Sequence, residues 1–133
     1  MKKGILCAID FSASSKEALR WSINLAQKLN HHLTVLYTYR LLQPYNGEVV
    51  EMKRKIEDEA LKKFSTLEKE LLIDQGVSYD FKAEVGFVAD RAKDHFKKNG
   101  VDLLVVGKKM NAINKQSFDE LIVDLQMPLV IVP

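Results

Sequence analysis

The chain has 133 residues, 47% of them apolar and 29% charged, with a formal net charge of +2. This is enough for one domain that buries about two-thirds of its unfolded surface. The charge is too small and too evenly spread to suggest a nucleic-acid partner, and no apolar run approaches the ~20 residues that a bilayer span requires. Cys7 is the lone cysteine, so no disulfide framework is expected, and inside an apolar run it reads as a small buried hydrophobe. Met1-Lys2-Lys3 leads into a strand rather than a secretion signal, which predicts a cytoplasmic protein.

The first predicted element is the run Ile5 to Ile9, too short for a helix and suited to a strand buried on both faces. Asp10 closes it. After the polar bend Phe11-Ser12-Ala13-Ser14, the pair Ser14 and Glu17 reads as a capping box opening a helix, with Ala18, Ser22, Leu25, Ala26 and Leu29 as its apolar stripe. Asn30-His31-His32 ends that helix, and Leu33 to Tyr39 is the second strand. The two histidines have no acidic or thiol partner at ligand spacing, so no metal is expected there. His95 is placed on the polar side of a later helix.

Arg40 to Glu48, with Pro44 and Gly47, reads as a loop. A long helix over about 49–72 follows, with Met52, Ile56, Ala60, Phe64, Leu67 and Leu71 on one side and mixed charges on the other. Asp74-Gln75-Gly76 stops it. Val77 to Val85 alternates apolar and polar residues, the pattern of an edge strand with one wet face. Val88, Ala92 and Phe96 define a shorter helix, ended by Asn99-Gly100. Asp102 to Gly107 is a buried parallel strand ending in Gly. Ser117 and Glu120 form a second capping box, and Pro128 resets the chain into the last strand, Leu129 to Val132. The alternation predicts an α/β domain with five strands, four helices and right-handed crossovers. In such sheets ligands sit beyond the carboxyl ends of the strands, where Asp10 lies.

The segment AIDFSASSKEALRWSINLA resembles the first strand, loop and helix of the universal stress protein family. DLLVVG and MPLVIVP are similar to its fourth and fifth strands, so the resemblance runs essentially the whole length, as one domain over residues 1–133. It implies an open five-stranded parallel sheet with helices on both faces, Rossmann-like and of the adenine nucleotide alpha hydrolase type. Many members bind ATP and others do not. Carried over position by position, the adenosine contacts of the binding members correspond to Ile9, Asp10, Thr38, Val106 and Gly107. A carboxylate at Asp10 can accept ribose hydroxyls, and it can equally cap the turn after the strand with Ser12. Gly107 would let a ligand approach the backbone closely.

The phosphate end departs from the family pattern of Gly, two residues, Gly, nine residues, then Gly and Ser or Thr. Here the text is GKKMNAINKQSFDE: Met110 replaces the second Gly, and Lys115 and Gln116 stand where the last Gly and Ser would be. Met110 disfavours the positive-φ backbone of a phosphate cradle. Lys108, Lys109, Lys115 and Ser117 offer an anion site by point charge, and a solvent-facing basic loop is the plainer account.

The Walker pattern, a nucleophile elbow and the dinucleotide fingerprint are all missing. Only Asp10 matches the acidic positions of a phosphoacceptor receiver domain, and the FSASSK bend lacks the glycine of a flavin phosphate site. The expectation is a non-catalytic stress-response module without a metal or a firm cofactor. It would form a homodimer through Leu129 to Val132 and act by contacting an unknown protein partner or weakly sensing a nucleotide, with no membrane role. The alternative is an ATP-binding protein or slow ATPase with Mg, its nucleotide near Asp10 and Gly107. The chain could also be one half of a tandem pair.

Overall fold

The computed structural model describes residues 4–41, 49–110 and 118–133. Its elements run β1 (Gly4–Ile9), α1 (Ala13–Leu29), β2 (His32–Tyr39), α2 (Val49–Leu67), β3 (Tyr79–Val85), α3 (Val88–Lys98), β4 (Val101–Gly107), α4 (Phe118–Leu125) and β5 (Leu129–Val132). The strands form one parallel sheet in the order β3-β2-β1-β4-β5. All six residues of β1 are buried because the strand is central in the sheet and covered on both faces. The alternation of side chains divides the core accordingly. Ile5, Cys7 and Ile9 pack with Leu19, Ile23 and Phe64 under α1 and α2, while Leu6 and Ala8 pack with Ala92, Leu121 and Leu125 under α3 and α4.

At the β3 edge the predicted alternation is borne out. Tyr79 and Phe81 turn inward, Phe64 stacking on Phe81 with ring centroids 4.3 Å apart. Asp80 and Glu84 on the other face are polar-bonded to His32 and His95.

Three local expectations are corrected. Helix α1 starts earlier than the Ser14 capping box implies: Ser12 is the N-cap, its hydroxyl accepting from the Ser15 N–H at 3.2 Å. The long helix does not stay α-helical to its end but widens at Glu68–Leu72 into a π-helical turn, where Ile73 N–H donates to the Glu68 carbonyl. The wider turn buries Leu72 fully while Leu71 stays half-exposed.

In α3, Phe96 is 39% exposed and His95 is buried at 3%, the reverse of the expected faces. The buried imidazole is tolerated because both ring nitrogens are partnered, Nε2 with Glu84 Oε1 at 2.9 Å and Nδ1 with Asn99 Nδ2 at 2.8 Å. The second capping residue, Ser117, and the loop residues Pro44 and Gly47 lie outside the described residues.

Candidate functional site

The sheet order reverses between β1 and β4, so the natural ligand crevice lies past the ends of these two strands, beside Asp10 and Gly107. Asp10 is tied to the turn that follows it. Its Oδ1 accepts from the Ser12 N–H at 3.0 Å and from the Ser12 hydroxyl. Of the two roles open to Asp10, these bonds realise the turn-capping one. Between Asp10 and Ser12, Phe11 adopts φ 63, an αL conformation rare for an aromatic residue. Phe11 packs 5.1 Å from the Tyr37 ring, with Lys63 Nζ 5.6 Å from its own centroid. The Tyr37 hydroxyl is pushed above its ordinary range by burial first, then by the nearby charges of Asp10 and Glu59.

Across the reversal point, helix α1 rests directly on the end of β4. A Cβ on Gly107 would stand 2.6 Å from the Ser14 carbonyl oxygen, far inside van der Waals contact. The missing side chain of this glycine makes room for Ser14 of α1. Ser14 escaped the sequence reading in this role because its partner lies 95 positions away, the Lys109 N–H donating to its hydroxyl at 3.0 Å.

After Gly107 the chain makes a tight turn and Met110 re-enters the core with no exposed surface, among residues that include Val106, Leu104 and Leu121. The four N–H groups of 107–110 all have protein acceptors. Gly107 N–H points at Met110 Sδ at 3.2 Å, Lys108 N–H at the Val132 carbonyl at 2.8 Å, Lys109 N–H at Ser14, and Met110 N–H at the Gly107 carbonyl at 3.3 Å. A triphosphate cradle needs consecutive N–H groups left free for phosphate oxygens, and in this turn each already has a protein acceptor, the one at Lys109 at the surface. As it stands, 107–110 offers a triphosphate no N–H group without a protein acceptor.

Ile9 and Val106 are buried, Thr38 is half-buried, and the Lys108 and Lys109 side chains are exposed. Lys109 borders a shallow groove of about 360 Å³ with Ser12, Ala13, Ser14, Glu17 and Pro133. Lys115 and Ser117 lie outside the described residues. Among the described residues no three metal-ligating side chains gather, and no helix is long and apolar enough to cross a membrane.

A parallel sheet ordered in this way, with its crevice at the β1/β4 reversal, defines a Rossmann-like α/β domain. The model of the universal stress protein family matches residues 1–120, and the chain belongs to that family. Among solved structures, a family member from Burkholderia pseudomallei superposes with a TM-score of 0.77 at 18% identity, covering 98% of this chain and 96% of that one. Universal stress protein UspA from Lactobacillus plantarum gives 0.77 at 14% identity, with 98% and 97% covered. A family protein from Arabidopsis thaliana, solved with AMP bound, gives 0.68 at 14% identity, with 98% and 90% covered. No curated protein sequence matches the chain.

Proposed function

We propose that this family member works by contact at the carboxyl edge of its sheet and turns over no nucleotide there. In this reading it is a cytoplasmic stress-response module that pairs with a second copy through β5 and meets a protein partner. The observation that carries it is that the four N–H groups of 107–110 already have protein acceptors. To cradle a triphosphate, the turn would give up these bonds, the two to backbone carbonyls worth about 1 kcal/mol net each and those to the Met110 sulfur and the exposed Ser14 hydroxyl less. It would also withdraw Met110 from the core, a loss on the order of 2–5 kcal/mol if it resembles truncation to Ala. Pairing through β5 rests on its position at the sheet edge and on Ile131, an apolar side chain 37% exposed there.

A second reading has a specific observation behind it, the Arabidopsis relative solved with AMP bound. A monophosphate needs no extended cradle. The groups available to it are the backbone of Ile9, Val106 and Gly107, the side chains of Asp10 and Thr38, and the point charges of Lys108 and Lys109, with Lys115 and Ser117 further along the chain.

Calorimetric titration of the full chain with ATP–Mg and with AMP tests both. ATP–Mg should bind no more tightly than AMP, and Asp10→Asn, which keeps an acceptor for Ser12, should weaken only the AMP signal. ATP–Mg binding tenfold or more tighter than AMP would overturn the proposal for the turn. Sedimentation of the same samples should show a dimer, and a strict monomer at high concentration removes the pairing through β5.

A further inference from the structure

At the amino-terminal end of the sheet, remote from Asp10 and Gly107, three side chains from adjoining strands form one hydrogen-bonded chain. His32 opens β2, Ser78 immediately precedes β3, and Asp80 is the second residue of β3. The parallel register sets Leu33 opposite Tyr79 and Thr34 opposite Asp80, and the Leu33 N–H donates to the Ser78 carbonyl at 2.9 Å. His32 Nε2 lies 2.8 Å from Asp80 Oδ1, and His32 Nδ1 lies 2.5 Å from Ser78 Oγ. The Thr34 hydroxyl donates to the same Asp80 oxygen at 2.9 Å, and Lys82 Nζ stands 3.8 Å from the other.

Donor and acceptor chemistry orders this chain. An ionised carboxylate only accepts, so the proton of the neutral imidazole resides on Nε2 and faces Asp80. Nδ1 then presents its lone pair, and the Ser78 hydroxyl donates to it. The result is a nucleophile, a base, and a carboxylate orienting the base, itself held by Thr34. The two ring nitrogens exchange the roles they have in the familiar serine-hydrolase triad, with Nδ1 here as the base. Ser78 is exposed and His32 is 33% exposed, so a small reagent can reach the hydroxyl without a conformational change.

We propose that Ser78 is an activated surface nucleophile that accepts acyl groups from small esters with good leaving groups. Ser78 Oγ bonds to the ester carbonyl carbon while its proton passes to His32 Nδ1. The tetrahedral intermediate then collapses, the bond to the leaving oxygen breaks, and that oxygen takes the proton from His32. An acyl-serine remains. Water, deprotonated by the same nitrogen, hydrolyses it and returns the Ser78 hydroxyl. Asp80 and Thr34 are positioning residues. The inference is independent of how the carboxyl edge treats nucleotides.

The test is incubation of the full chain with p-nitrophenyl acetate, following nitrophenolate release and mapping acetyl groups by peptide mass spectrometry. An acetyl group on Ser78 is expected. Its rate of formation should fall about 100-fold or more in His32→Gln and by less in Asp80→Asn, with unchanged circular dichroism in both. Ser78→Ala should lose this label while retaining any slow acetylation of surface lysines. Labelling confined to lysines, or a Ser78 label formed at the same rate in His32→Gln, would overturn the proposal.

Discussion

Gly107 and Ser14 illustrate what a single position decides. A glycine ending a β-strand in an α/β domain reads as a place where a ligand meets the backbone, yet here a helix takes that space. Gly107→Ala should therefore destabilise the fold itself: the new methyl meets the Ser14 backbone carbonyl at 2.6 Å, and overpacking of this kind costs about 1–3 kcal/mol. Urea unfolding of the variant measures it, and a midpoint equal to that of the natural chain would show that α1 can lift away from β4 without loss. Cys7, by contrast, was legible from sequence, as a small hydrophobe inside an apolar run. It has no exposed surface, and neither has Met110, whose burial its polar neighbours in the sequence did not announce.

At the scale of elements, existence and order were readable because hydrophobic periodicity is a property of neighbours along the chain. Starts and faces were less so. Ser12, Ser14 and Ser15 are all able to cap a helix, and only the backbone at Ser12, φ −80 and ψ 166, marks the true N-cap. Replacing Ser12 by Ala should cost about 1 kcal/mol, the usual loss for a cap. Ser14→Ala should stay within about 0.5 kcal/mol, because the Lys109 N–H it releases is exposed and finds water. Equilibrium denaturation of the two variants gives the order, and the reverse order would move the cap to Ser14. On α3 the stripe from Val88 and Ala92 could continue to residue 95 or 96. His95 took the buried place because Glu84 of β3 and Asn99 satisfy its ring.

For the whole molecule, acids held protonated by burial or by a neighbouring carboxylate shape its response to alkaline pH. Burial pushes the Cys7 thiol from 9.0 up to about 12 against a smaller opposing hydrogen bond from Ser22. Tyr39 is raised by burial and its bond to Glu57, and Tyr79 by its bond to Glu68. In each case the folded state holds a proton that the unfolded chain releases at lower pH. The associated stability is thus fully present below about pH 9 and is lost as pH rises towards about 12. Urea midpoints should fall across that window, and fall less steeply in Cys7→Ala. An equal slope in the two proteins would remove the thiol from the account.

Sequence by itself determined the class of fold, the family, the five strands and the loss of glycine at Met110, since each depends on residue type and on the order and spacing of segments along the chain. Only the tertiary structure decided that Ser14 fills the space beside Gly107, that the N–H groups of the turn after β4 have protein acceptors, and that His32 meets Ser78 and Asp80. Those contacts join residues 95, 46 and 48 positions apart. They exist only once the parallel register has brought distant strands together, and no local pattern of the chain encodes that distance.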